Sequence, residues 1–205
     1  MTPGVGPAVT HAPGPVAYRI AVQNPSRNRR LPPPSRIIDW VSHALGPVPG
    51  RRAAPGAEIT VRLVTRAEAV SLNETFRGRD YAPNVLSFPY EMDAPGAAPT
   101  DVCGDIAICP AIVAREARMQ GKSFEAHLAH LVVHGVLHLR GYDHLEDREA
   151  ARMERLESRL VTALGLDDPW AAERTPGAAR GADAPPDVPD AAHATMKPAP
   201  PSPTA

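Results

Sequence analysis

The stretch SFEAHLAHLVVHGVLHLRGYDH, residues 123–144, decides how this chain folds and where its chemistry lies. Ser123 can cap a helix that runs to about Leu139. Gly141 can take a positive φ and turn the chain off the helix end. His134 and His138 are four apart, so their imidazoles share one face, one turn apart, where they can chelate one metal ion. His144, three residues past Gly141, can fold back to the same ion. Three neutral nitrogens leave a fourth coordination position open, which marks a catalytic rather than a structural zinc site. Three imidazoles also suit nickel or copper. Each of these histidines alone is most simply a packed or solvated side chain; the glycine-spaced trio makes metal binding the better reading.

The stretch almost matches the zinc-protease pattern HExxHxxGxxH, but Gly135 stands where that pattern has Glu. In such proteases the Glu moves a proton from the nucleophilic water to the leaving amine. Gly135 cannot. A phosphodiester makes a different demand, because its leaving alkoxide and phosphoryl oxygens are anionic and a dication on neutral ligands can stabilise them directly. The substitution argues against proteolysis and permits phosphoryl chemistry. His127 and His130 lie on nearly the same stripe, one and two turns earlier. They read first as packed or surface side chains, and second as groups behind the ligands or facing RNA. His11, His43 and His193 lie in unrelated segments and receive no role.

Outward from this helix, the pattern predicts strands at 16–23, 58–64, 84–88 and 102–109. Ser35 is the expected cap of a helix ending at Gly46. Thr65 and Glu68 form a capping box for a second helix, stopped by Gly78. Pro110 opens a third as a first-turn proline, running to Gln120. A last helix is expected from about Glu146 to Leu164, with Ala150, Met153, Leu156, Leu160 and Leu164 on one side. The reading is an α+β fold: a small mixed sheet of about four strands packed with about five helices, the metal site on a central helix and the following turn. Strand–helix–strand units imply parallel pairing with right-handed crossovers, while the adjacent third and fourth strands can pair antiparallel.

The 205 residues allow one domain with loose ends. Residues 1–15 and 171–205 are rich in Pro, Gly and Ala, and neither can bury enough apolar surface to offset ordering, so both are expected to be unordered extensions of a 16–170 domain. Residues 1–90 hold 11 Lys and Arg against 5 Asp and Glu, and residues 91–205 hold 11 against 18. A basic N-terminal half suits a polyanionic partner or an ordinary solvated surface. Cys103 and Cys109 on one strand lie too far apart to pair, so reduced thiols are expected. No apolar run approaches a membrane span and no signal-peptide core precedes the domain, which points to a cytoplasmic protein without membrane contact.

The other informative stretch is LNETFRGRDYAPNVLSFPYE, residues 72–91. Arg77, at a helix end beside Gly78, can bind phosphate through its guanidinium fork or can merely complement the helix dipole. This stretch up to Pro89, with GDIAIC (104–109) and HGVLHLRGYDH (134–144), resembles the YbeY family of bacterial endoribonucleases, the rRNA maturation factors. The resemblance covers the chain from about the first strand to Trp170. Where the family commonly has Tyr before the motif Arg, this chain has Phe76. The resemblance implies a zinc-dependent, single-strand-specific endoribonuclease acting in 16S rRNA 3′-end maturation and ribosome quality control. It implies one Zn2+ ion on His134, His138 and His144, with His134 and Arg77 catalytic and Arg77 on the RNA phosphate. Its implied partners are rRNA, the small ribosomal subunit and an Era-type GTPase.

Arg27, Arg29 and Arg30 are candidates to guide an RNA backbone, and surface solubility explains them as well. Asp105 and Asp143 are candidates to hold the second N–H of a ligand histidine, and a strand-end or turn Asp accounts for them equally. Two other classes fit the same residues: a non-catalytic ribosome assembly factor with a structural metal, and a metallohydrolase with a non-RNA substrate. The latter needs a base to replace Gly135, and the neighbouring sequence offers none.

Overall fold

The computed structural model describes residues 9–11, 17–25, 31–49, 53–54, 56–90, 102–142 and 146–171. Most of the two expected extensions, the Arg27–Arg30 loop, Asp143 and His144 lie outside the described residues. The chain runs β1 (Val9–His11), β2 (Ala17–Gln23), α1 (Pro34–Leu45), β3 (Gly56–Leu63), α2 (Arg66–Arg77), β4 (Val85–Pro89), β5 (Val102–Ile108), α3 (Pro110–Met119), α4 (Phe124–Leu139) and α5 (Asp147–Ala163). The α+β reading holds: five helices pack on a mixed sheet. Among the described residues that sheet has five strands in the order β1-β2-β3-β5-β4. The strand beyond the expected four is the short β1, which pairs antiparallel with β2 and lies inside the 1–15 segment.

Strands β2, β3 and β5 are mutually parallel, as the first strand–helix–strand unit requires. The second unit departs from expectation. β4 does not pair with β3; β5 inserts between them, and β4 pairs antiparallel with β5 at the sheet edge, the pairing the sequence allowed for these two adjacent strands. Composition explains the exchange. β4 ends in Pro89, which has no N–H to give a ladder on a second side. β5 carries Ile106, Ala107 and Ile108, all buried, and tolerates cover on both faces.

One face of the sheet bears the main core. Ile20, Ile59, Val61, Ile106 and Ile108 meet Ile37, Trp40 and Leu45 of α1, Leu128 and Leu137 of α4, and Met153 of α5. Each such aliphatic side chain contributes roughly 1.5–3 kcal/mol on leaving water. The other face carries a smaller cluster in which Ala69 of α2 and Ile112 of α3 cover Leu86, Phe88, Ala107 and Cys109. β5 alternates between the two, so Cys103 lies on its second face while Cys109, just past the strand, joins the smaller cluster, and the two form no disulfide.

The caps show where local chemistry won. Ser123 Oγ accepts from Ala126 N–H at 3.1 Å and starts α4 as expected. Thr65 Oγ1 accepts from Glu68 N–H at 3.2 Å, but the Glu68 carboxylate takes Arg62 Nε at 2.7 Å instead of reaching back to the cap. Ser35 is not a cap. The cap position is Pro33, two residues earlier, and α1 starts on Pro34, because proline at the first helical position is preset for the helix and has no N–H to leave unsatisfied.

α4 is the central element. Thirteen of its sixteen residues are buried, and it packs against α1, α3, α5, β4 and β5. Its C-terminal end is pinned by Arg140, whose buried guanidinium donates through Nη1 to the Ala44 carbonyl and, at 3.0 Å, to the Gly46 carbonyl at the end of α1. Gly141 then takes φ +76°, and Tyr142 N–H closes back on Leu137 O at 3.0 Å. These bonds fix the course of the chain as far as Tyr142. Replacing Arg140 with Met keeps the apolar stem and removes both donors. We expect a stability loss of about 2–3 kcal/mol, read as a melting temperature lower by roughly 4–12 °C; an unchanged melting curve would show these bonds to be idle.

Candidate metal centre

Histidines at 127, 130, 134 and 138 advance along α4 by three or four residues, so they form one row on its surface. Adjacent ring centroids lie 6.2, 6.2 and 4.5 Å apart. Because α4 is enclosed, most of this row is buried too, and His138 is 1% exposed. A buried imidazole needs polar partners, and the flanking helices bring them. His127 Nε2 meets Glu116 Oε2 of α3 at 2.9 Å. His130 Nε2 meets Glu157 Oε2 of α5 at 3.0 Å, and His134 Nδ1 meets Glu157 Oε1 at 2.7 Å.

His134 and His138 turn their remaining faces to each other, with Nε2 to Nε2 at 3.0 Å. Two nitrogens held 2.0–2.1 Å from one zinc at a tetrahedral angle would stand roughly 3.3 Å apart. The pair therefore fits a shared ion with a small adjustment. The expected third ligand, His144, lies outside the described residues, two positions past the pinned Tyr142. A second grouping is also compact enough to hold a metal ion: His130, His134 and Glu157 offer one ligand atom each, all within 4.8 Å of one another.

Glu157 is the group the sequence reading missed. It is 1% exposed and accepts a third bond, from Trp170 Nε1, at 2.8 Å. Burial by itself pushes its carboxyl up, but the charge and hydrogen bonds of His130, followed by those of His134, outweigh burial and hold it well below the usual carboxylate range. A signal was present. Glu157 lies four residues after Met153 and three before Leu160, on the apolar stripe of α5, where an unpartnered charge would be costly.

Asp105 does not serve a histidine. It accepts the Tyr90 hydroxyl at 2.5 Å on the second face of the sheet. Burial, then this hydrogen bond and the carboxylate charge, push the Tyr90 phenol up to about 12.

Arg77 is the last residue of α2, half-buried, and followed by Gly78 at φ +65°. Asn73, fully buried, fixes the turn beyond it by donating to the Tyr81 carbonyl at 2.9 Å. Phe76 packs edge-on against Phe88 of β4 with ring centroids 4.9 Å apart. On the opposite face of β4, Ser87 Oγ approaches Gly135 of α4. The edge strand thus separates the arginine helix from the histidine helix, and a substrate touching both must lie around that edge.

The contacts at Gly135 explain the absent glutamate. A Cβ there would stand 2.9 Å from Ile106 Cγ2, 3.0 Å from Ile106 Cδ1 and 3.2 Å from Ser87 Oγ. Ile106 is branched and fully buried, so it cannot yield cheaply. The position faces the sheet, not the site, and has no space for a side chain.

The family model described as Endoribonuclease YbeY matches residues 22–165 of this chain. A relative named Endoribonuclease YbeY from Xanthomonas campestris pv. campestris (strain B100) is 47% identical over 163 residues, covering 78% of this chain and 98% of its own. Another with the same name, from Stenotrophomonas maltophilia (strain K279a), is 45% identical over the same shares. Among solved structures, the solution structure of TM1509 from Thermotoga maritima matches with a TM-score of 0.44 at 28% identity, over 80% of this chain and 99% of that one.

Two outcomes are expected here. Gly135→Ala gains roughly 1 kcal/mol of helix propensity but loses about 1–3 kcal/mol to overpacking, so its melting temperature falls, and Gly135→Glu fails to fold rather than gaining peptidase activity in a casein assay. Ultraviolet titration of Tyr90, isolated by difference from Tyr90→Phe, should give a midpoint near 12 in the parent and a lower one in Asp105→Asn. The stability this phenol contributes is complete below its unfolded pKa of about 10 and is lost as pH rises toward 12.

Proposed function

The chain belongs to the YbeY endoribonuclease family, and from that premise we propose that it is a zinc-dependent, single-strand-specific endoribonuclease acting in 16S rRNA 3′-end maturation and ribosome quality control. The proposed ligands are His134, His138 and His144. The observation that carries the reading is the convergence of His134 and His138 to 3.0 Å through Nε2 while the other nitrogen of His134 is occupied by a carboxylate. A Zn2+ ion held there would supply positive charge to a phosphoryl oxygen in a site with no room for a protein base at Gly135.

Within this reading Arg77 grips the scissile phosphate with its planar fork and offsets charge as the bond breaks. The semi-buried end of α2 limits its freedom, so less entropy is lost when it engages. Rings of His134 and His138 stay fixed because α4 is enclosed. No helix among the described residues is long and apolar enough to cross a membrane. The proposed setting is the cytoplasm, with rRNA on the small ribosomal subunit as substrate and an Era-type GTPase as a further partner.

A side-by-side measurement of bound zinc and of cleavage of a single-stranded RNA tests these roles. His138→Ala should lose both. Arg77→Ala should keep the zinc and lose cleavage by about 100-fold or more, the scale of a removed transition-state charge contact. If His138→Ala keeps its zinc and its cleavage, the ligand assignment is wrong. If His138→Ala loses zinc but still cleaves and supports ribosome maturation, the metal is structural and the chemistry lies elsewhere.

A further inference from the structure

We propose that Glu157 is the positioning residue of the metal centre: one of its oxygens sets the tautomer and aim of His134, while His130 and Trp170 hold the other. The proposal rests on the reading that His134 and His138 share an ion through Nε2.

An ionised carboxylate only accepts hydrogen bonds. The 2.7 Å contact from Glu157 Oε1 to His134 Nδ1 therefore requires the proton to be on Nδ1. In the neutral ring this leaves the lone pair on Nε2, the nitrogen that faces His138 at 3.0 Å. With the proton on Nε2 instead, His134 would present a donor where a ligand is needed and an acceptor against a carboxylate. Carboxylate partners of this kind commonly fix ligand histidines in metal sites, and their loss typically weakens metal binding 10–100-fold.

The other oxygen is already committed. Glu157 Oε2 accepts from His130 Nε2 at 3.0 Å and from Trp170 Nε1 at 2.8 Å. These two donors prevent the carboxylate from rotating away from His134. The indole is itself anchored: Trp170 N–H and Ser158 Oγ both donate to Asp168 Oδ1, at 3.0 and 2.9 Å, which returns the chain after α5 onto that helix. The Trp170 ring then meets His130 edge-on with centroids 5.5 Å apart. His130 and Trp170 thus have a joint task that neither the row of histidines nor the apolar pattern announces.

The alternative is that Glu157 ligates directly, in the compact set with His130 and His134. If His134 joined that set through Nδ1, the nitrogen that faces Glu157, it would use the opposite nitrogen from the one the set with His138 needs. One ion on the inner side of the ring cannot also be shared with His138.

The test compares the full-length parent with Glu157→Gln, Trp170→Phe and His138→Ala. Zinc affinity is measured by competition with a chromophoric chelator. The protonated nitrogen of His134 is read from long-range 15N–1H ring correlations, on zinc-loaded and stripped protein. Gln keeps the size of Glu but offers one acceptor in place of two, so it cannot satisfy His134 and the His130–Trp170 pair together. We expect zinc to bind Glu157→Gln at the same stoichiometry but 10–100-fold more weakly, with His134 populating both tautomers when stripped. Trp170→Phe should give a smaller shift of both readouts in the same direction, and it carries the test if Glu157→Gln does not fold. A parent protonated at Nε2, or variants with unchanged affinity and tautomer, would overturn the proposal. So would loss of zinc from Glu157→Gln as complete as from His138→Ala, which would make Glu157 a ligand. If His138→Ala keeps its zinc while the tautomer still follows Glu157, the ligand assignment fails and the orienting role of Glu157 survives.

Discussion

The structure depends on enclosing a helix that carries a row of imidazoles. α4 is covered on nearly every side, so its histidines leave water when the domain folds. An unpaired polar group in that setting costs on the order of 1–3 kcal/mol, and several together would erase the stability of an ordinary domain. The neighbouring helices reduce this cost by meeting one nitrogen each of His127, His130 and His134 with two carboxylates, Glu116 from α3 and Glu157 from α5. Packing order is therefore constrained twice. The apolar faces bring α3, α4 and α5 together, and the polar pairs fix their rotation and register. Glu116 also receives Asn84 Nδ2 at 3.1 Å, which ties the loop before β4 into the same network.

A second constraint is how closely α4 sits on the sheet. Gly135 on α4 and Gly104 on β5 each stand where the contact between helix and sheet has no room for a Cβ. A Cβ on Gly104 would collide with the Phe88 carbonyl and with Leu139, as one on Gly135 would with Ile106. Two glycines on facing surfaces let the backbones approach, at an entropic cost of roughly 0.5–1 kcal/mol each. The position of the protease glutamate is thus used for packing. Under the proposed assignment, a cation held by His134 and His138 has no carboxylate base beside it on the helix, which suits an anionic substrate rather than an amide.

The parts legible in the sequence were those whose cause is local. Ser123 caps α4 and Gly141 leaves it at positive φ because the relevant bonds span three or four residues. The convergence of His134 and His138 follows from helical spacing alone. The parts that were not legible depend on distant partners. Glu157 reaches His134 across 23 positions of chain, and only its phase on the apolar side of α5 hinted at a buried role. Asp105 was a reasonable candidate by proximity in the sequence, but strand alternation turns it to the face of Tyr90, away from α4. The insertion of β5 between β3 and β4 is a choice between two pairings of similar local propensity. It is decided by Pro89 and by the cover available to Ile106 and Ala107, neither of which a strand pattern ranks.

The placement of β4 bears on which substrate the proposed site can take. Phe88 on one face of this edge strand touches the arginine-bearing α2, while Ser87 on the other approaches α4 beside His134. If Arg77 and the metal engage one phosphodiester, the substrate backbone must bend around the sheet edge between two helices. A single strand has the torsional freedom to do so. An A-form duplex presents its phosphates on a stiff surface with a deep, narrow major groove, and its partner strand would strike the layer of α2 or of α4. Under the proposed assignment, selectivity for single strands then follows from the sheet order that puts β4 outermost, rather than from contacts to the bases. The pinning of Arg140 to α1 and of Glu157 to α4 and Trp170 serves the same end, because a path around an edge is selective only if its walls do not yield.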